Sequence, residues 1–346
     1  MTMRRAKLCA AGVVAASVLP LWGGPAVADP VVLPVAQDIV GVGAQTTQGV
    51  MSRLAADYNA SLTDPYSPRL YSWDSTGPSP ITTKTGAVPI TRPNGAVGGV
   101  QALLNTTSAT VDFARSDRIP PSQTPPPGFS SIVLARDAVT WSAPAGGNAP
   151  AALTPAQLKG VYQCDVGFRT WKQIDPSKPD EPVKPWLPPT ASGTRAFFLA
   201  AIGNPAPGGC VQTGPEENEG TDPRLNDVNA LFPYSVADYL GQTVGGHGTA
   251  TDSPGALTLR GVVLGSNNVP VPPVANGVIN AVFVNSAFGR VVYNAVRDTE
   301  WTATDAHGTA LRAIFGPTGW ICVNATAKAD LKSYGFLVTP ACGASF

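Results

Sequence analysis

Apolar residues recur at helical spacing in several short stretches of this chain, and each stretch is entered through a polar or glycine-rich turn. Thr46-Thr47 precedes Val50, Met51, Leu54, Ala55 and Tyr58, which share one helical face. The segment before it, Asp38-Ile39-Val40-Gly41-Val42-Gly43, reads as a strand ending in a glycine turn. A second unit runs from Arg92-Pro93-Asn94-Gly95-Ala96-Val97-Gly98-Gly99 into Val100, Leu103 and Leu104. A third, Ser192-Gly193-Thr194-Arg195, leads at once into Phe197, Phe198, Ala201 and Ile202. Thr154-Pro155-Ala156-Gln157 has a cap, a proline at the first helical position and Gln three residues past the cap, so a helix is predicted from there through Leu158 and Val161 to about Cys164.

Between these units Thr110–Ala114 reads as a short strand ending at Arg115-Ser116-Asp117. Ile132-Val133-Leu134 reads as another, leading to Ala138-Val139-Thr140-Trp141. The Pro-, Lys- and Asp-rich stretch from Asp175 to Pro189 is expected to be an exposed loop, and Glu216-Glu217-Asn218-Glu219 an acidic surface loop. Late in the chain Ala281–Val284 is expected to be a strand and Val291–Val296 a helix. No internal repeat is visible. Strands alternating with helices predict a layered α/β fold. A site is then expected where strands hand over to helix N-termini.

The chain has 346 residues, enough for two domains. Lys+Arg and Asp+Glu balance at 23 each, so no global field attracts nucleic acid or an anionic membrane. Charged residues are 13 %, and 35 Pro with 36 Gly point to many loops. Apolar content of 43 % argues against disorder. Arg4, Arg5 and Lys7, the apolar run Leu8–Leu21 and Ala26-Val27-Ala28 have the three parts of a secretory signal, so residues 1–28 are expected to be removed and the mature chain to start near Asp29. Cys9 leaves with the signal and stands too early for a lipid-attachment cysteine. Four cysteines remain, Cys164, Cys210, Cys322 and Cys342, and an exported chain uses an even number for disulfides. Three pairings are possible. Cys164–Cys210 with Cys322–Cys342 is preferred, because each bridge closes a local loop.

Candidate chemistry is concentrated at the helix starts. A free helix N-terminus with hydroxyls and a guanidinium nearby binds anions, phosphate above all. Ser192, Gly193, Thr194 and Arg195 fit that description, as do Thr46 and Thr47. Capping alone explains Ser192, Thr194, Thr46 and Thr47 as well, and Arg195 can instead pair with a surface acid. Asp117 repels a fully ionised anion but accepts a hydrogen bond from a protonated phosphate. The alternative is a turn cap or a pair with Arg115 or Arg118. His247 and His307 have no second histidine at ligand spacing, so no metal site is expected. No cofactor motif, Gly-x-Ser-x-Gly elbow or Ser-x-x-Lys arrangement that survives its context is present, so no enzyme is expected, and a secreted enzyme ranks last among the alternative readings.

Four segments, in this order, resemble the phosphate-binding, extracytoplasmic solute-binding proteins of ABC transporters, most closely an actinobacterial branch. They are Gly41–Thr47, Asn94–Gly99, Val111–Asp117 and Ser192–Arg195. Weaker likeness continues through Leu153–Leu158 to Ser333–Phe336. The resemblance implies a two-lobed periplasmic-binding-protein type 2 clamp of mixed sheets flanked by helices, with two interlobe crossovers. Lobe I would comprise residues 29–141 and 281–346, and lobe II residues 142–280. It implies capture of inorganic phosphate or a similar oxyanion by a monomer outside the cytoplasm, and delivery to a membrane permease. Thr46, Thr47, Gly95, Ala96, Asp117, Ser192, Gly193, Thr194 and Arg195 fall on its ligand-binding loops. Ala96 replaces the usual serine of the second loop, and Pro188 replaces an arginine common four residues before the Ser-Gly-Thr turn. The same departures fit a clamp that has turned to another ligand or to sensing.

Overall fold

A computed structural model describes residues 29–117, 126–265 and 267–346. The expected signal segment and Cys9 lie outside the described residues. Ile39–Gly43 (β1) is an uninterrupted apolar run, as suits a strand covered on both faces, and all five of its residues are buried. It pairs in parallel with Leu70–Ser72 (β2) and with Phe113–Ser116 (β3). Phe129–Pro144 (β4) is 16 residues long. Its first part pairs antiparallel with Gly289–Arg297, and its last part with Ala230–Ser235 and Leu257–Leu259. We number the remaining strands β5 (Lys184–Leu187), β6 (Gln212–Thr213), β7 (Ala230–Ser235), β8 (Leu257–Leu259) and β9 (Gly289–Arg297). The nine-stranded sheet then runs β2-β1-β3-β9-β4-β7-β5-β6, with β8 also on β4. Within this mixed α/β fold β4 joins the two halves of the sheet, β2-β1-β3-β9 on one side and β7-β5-β6 on the other.

Four helices bear on the site, α1 (Gln48–Ser61), α2 (Gly95–Asn105), α4 (Gly193–Ala201) and α5 (Val236–Thr243), and α3 (Pro155–Gln163) lies between them in the chain. The predicted faces of α1 and α4 are the buried ones, with Val50, Met51, Leu54, Ala55 and Tyr58 on the first and Phe197 and Phe198 on the second. Thr154 and Gln157 form the expected capping box at the start of α3. The disulfides are Cys164–Cys210 and Cys322–Cys342, with Cα atoms 5.9 and 5.6 Å apart. No helix among the described residues is long and apolar enough to cross a membrane.

Four sequence expectations are corrected. Ala281–Val284 is a one-turn helix capped by Asn280, whose side chain accepts from the Val282 N–H. Val291–Val296 lies in the central strand β9, where Val292, Tyr293, Ala295 and Val296 are all buried. β-Branched and aromatic residues in that run suit a strand packed on both faces, which periodicity does not distinguish from a helix. The Asp175–Pro189 stretch contains β5, whose Lys184 and Pro185 pair with β7 and whose buried Trp186 and Leu187 pair with β6. The acidic stretch is not a surface loop, because Glu217 and Asn218 are 2 % and 3 % exposed.

Candidate functional site: a cradle at three helix starts

β1 and β3 deliver their C-terminal ends side by side, which brings the Thr46-Thr47 turn next to Asp117. Thr46 Oγ1 donates to Asp117 Oδ2 at 2.7 Å and lies 3.3 Å from Thr194 Oγ1. The turn before α4 therefore reaches the turn before α1 across the cleft. Ser192 caps α4 by accepting from the Arg195 N–H at 3.0 Å. Gly193 is required by close approach: a Cβ there would lie 1.7 Å from Asp117 Oδ1. Gly95 opens α2 at φ +72°, and a Cβ there would meet the Ala191 carbonyl oxygen at 2.6 Å. The same carbonyl accepts from the Val97 N–H at 3.4 Å. Ala96 is buried at this start and offers no side-chain donor. Thr47 stands at the cap position of α1 without a side-chain capping bond, and its buried hydroxyl has no hydrogen-bond partner among the described residues.

Arg290, from β9, supplies the positive charge. Its side chain is fully buried, with Nη1 2.9 Å from Asp117 Oδ2 and Nε donating to Asp137 Oδ2 at 2.8 Å. Nη2 reaches the hydroxyls of Thr46 at 3.3 Å and Thr194 at 3.2 Å. The guanidinium also lies 5.7 Å from the centre of the Phe197 ring. Asp137, from β4, is held by the Ser235 hydroxyl and the Ala237 N–H at the start of α5, both at 2.9 Å. Burial opposes the charge on Arg290, but Asp117, Asp137 and Glu217 outweigh it and raise its pKa above the ordinary value.

A carboxylate sits in the cradle. Glu217 accepts from the Ser192 hydroxyl and, at 3.2 Å, from the Thr194 N–H. Burial, and next the negative charge of Asp117, push the Glu217 carboxyl up to about 7. Asp238 of α5 is raised well above the carboxylate range, chiefly by burial and then by Asp137. Beside the cradle opens a cleft of about 310 Å³, with Glu219, Asp252 and Asp238 among its walls and the stacked rings of His247 and Tyr334, 3.7 Å apart.

The structure thus brings Thr46, Thr47, Gly95, Asp117, Ser192, Gly193 and Thr194 to one place. Arg195 points elsewhere: Nη1 donates to the Pro188 carbonyl at 2.8 Å and lies 3.1 Å from Thr213 Oγ1. Arg115 does not pair with Asp117. Buried, it donates to the Ala44 and Gly43 carbonyls and to Ser72 Oγ, bracing the first loop from behind. Arg118 is outside the described residues. Sequence reading missed Arg290, Asp137 and Glu217. Arg290 stands just before a segment taken for a helix, and Glu217 stands in an acidic run that looked solvated. Among the described residues one further group has metal-ligating types, Asp112, Glu300 and His307. There the Lys84 ammonium, 2.8 Å from Asp112, already supplies a cation.

Solved structures share the fold. An ABC-type phosphate transport receptor from Vibrio cholerae superposes with a TM-score of 0.57 at 15 % identity, covering 87 % of this chain and 100 % of its own. A phosphate ABC transporter substrate-binding protein from Clostridium perfringens, solved with bound phosphate, gives 0.56 at 12 % identity over 87 % of this chain and 99 % of its own. A high-affinity periplasmic phosphate-binding protein, also phosphate-bound, gives 0.53 at 16 % identity over 88 % and 91 %. At such identities the likeness is one of fold. No curated protein matches the chain by sequence. A family model described as a PBP superfamily domain matches residues 32–277, well over half of the chain. The chain belongs to the PBP superfamily.

Proposed function

We propose that this protein is an exported solute-binding protein that captures inorganic phosphate, or a similar small oxyanion, between its lobes and hands it to an ABC permease. One observation carries the reading: the cradle presents the Ser192 hydroxyl and the Thr194 N–H, at the start of a nine-residue helix, to the oxygen of a carboxyl group, that of Glu217. Such donors, together with Arg290 and the Thr46 and Thr194 hydroxyls, suit a tetrahedral anion. The phosphate-transport relatives of the same fold support this choice of ligand. In this reading residues 1–28 are the leader, residues 29–141 with 281–346 form one lobe and 142–280 the other, and the mature protein is a monomer. Asp117 selects phosphate over sulfate by accepting a proton-bearing oxygen, and binding rather than catalysis is the activity.

Glu217 in the cradle and Ala96 at the second helix start also favour a second reading, a clamp given over to sensing or to another ligand. Calorimetric titration of the chain from Asp29 on, first stripped of carried-over phosphate by unfolding and refolding, decides between them. Phosphate binding with sulfate silent is expected. Silence with both anions refutes the receptor reading.

A further inference from the structure

The segment 216–218 has no part in an oxyanion receptor described by its donors alone, yet it engages all three helix starts. Glu217 Oε2 takes the two donors of α4, the Ser192 hydroxyl and the Thr194 N–H. Its Oε1 is buried with no hydrogen-bond partner among the described residues. Glu216 reaches the other lobe: Oε2 accepts from Gln45 Nε2 at 2.9 Å, and Oε1 lies 3.4 Å from Nδ2 of Asn94, which precedes α2. Asn218 Nδ2 approaches Thr46 Oγ1 at 3.5 Å and donates to Asp238. A tetrahedral oxyanion seated on Ser192 and Thr194 needs the donors that Glu217 now uses. It would also add negative charge beside Asp117, Asp137 and Asp238, against which Arg290 is already committed. Two anions cannot share these donors.

We propose that Glu217 is a tethered competitor for the oxyanion seat: segment 216–218 closes over the cradle with its own carboxylate and must withdraw before an anion binds. The inference rests on the proposed oxyanion function of the cradle. Glu217 then sets the affinity, because the apparent dissociation constant is divided by the fraction of molecules whose seat is free. It also sets selectivity, since only an anion that satisfies more donors than a carboxylate displaces it. Asp117 packs against Gly193 and stays, whereas Glu217 belongs to a connecting segment between β6 and β7.

Titration of inorganic phosphate into the stripped wild type and into Glu217→Ala, Glu217→Gln and Glu219→Gln tests this. Glu217→Gln keeps the shape and guards against a folding defect in the alanine variant. Glu219→Gln removes a charge that lies outside the cradle. If the seat is free about a tenth of the time, Glu217→Ala binds phosphate about tenfold more tightly than wild type. Glu217→Gln falls between them, and Glu219→Gln stays within about twofold of wild type. Equal affinities for wild type and Glu217→Ala overturn the competitor while leaving the oxyanion function intact. An equal gain in Glu219→Gln and Glu217→Ala also overturns it, by reducing the effect to general charge. Silence in all four proteins overturns the oxyanion function itself, and the competitor with it.

Discussion

Two fully buried ion pairs in this protein look alike and are completed differently. Lys84 lies 2.8 Å from Asp112, both side chains at 0 % exposure. Its ammonium also donates to the Ser108 and Ala36 carbonyls, so each of its three protons has an acceptor. Asp112 in turn accepts from the Val40 N–H at 2.6 Å, and His307 Nε2 lies 3.3 Å from its other oxygen. Arg290 meets Asp117 and Asp137 with the same degree of burial, but Glu217 and Asp238 crowd the same space, so one guanidinium faces four carboxyls. Asp112 Oδ1, Asp117 Oδ1 and Glu217 Oε1 are alike buried without a hydrogen bond among the described residues. The carboxyl shifts reflect this. Burial lifts Asp112 to about 6, while Lys84 and His307 pull the other way. Glu217 is lifted to about 7 by burial and by a like charge. A cluster in which Lys84 and His307 face Asp112 and Glu300 is a structural tie. One with more carboxyls than cations, gathered at three helix starts, is poised to rearrange around a ligand.

The comparison breaks most sharply at Lys84. Lys84→Met leaves Asp112 buried without its cation and is expected to cost about 3–5 kcal/mol in urea unfolding, with the phosphate affinity of the folded fraction unchanged. A loss of affinity would mean that the two clusters are not separable. Next comes Glu217. Its folded pKa lies above the unfolded value, so its contribution is fully present below about pH 4.5 and is lost as pH rises through about 7. Glu217→Gln should remove that fall and leave the protein more stable than wild type at pH 8, by about 3 kcal/mol. Parallel stability profiles for the two proteins between pH 4 and 8 would contradict the burial of this carboxyl. Thr194→Val removes a hydroxyl that faces Arg290, Thr46 and Asp117. It should weaken phosphate binding by about 1 kcal/mol by calorimetry, and an unaltered affinity would reduce Thr194 to its role in starting α4. The smallest effect is expected at Arg195, which turns to Pro188 and Thr213. Arg195→Ala should change phosphate affinity by less than about 0.5 kcal/mol, and a larger loss would return this guanidinium to the site.

Much of the cradle was legible because its donors are local. A hydroxyl and a glycine before an apolar helical run mark a helix start whatever surrounds it, and Thr46, Ser192, Gly193 and Thr194 meet where such starts converge. The capping box at Thr154 and the two short-range disulfides were legible for the same reason. The charges were not. Arg290 comes from β9, whose Val291–Val296 run fits helix and strand patterns equally, so nothing nearby marked it as facing groups 96 to 244 residues earlier in the chain. Glu217 carried a misleading signal, since an acidic run is ordinarily solvated.

The sequence by itself determined the layered α/β character and the helix starts, and it favoured the cysteine pairs that form, because capping, periodicity and loop closure act over a few residues or along one loop. Only the tertiary structure decided which charges meet there. β4 joins both halves of the sheet, β9 carries Arg290 in beside Asp117 and Asp137, and the 216–218 segment folds inward instead of out to water. Burial then turns those encounters into strong interactions, since charges removed from water must be paired, shifted or displaced, and which charges are removed from water is settled by packing between segments far apart in the chain.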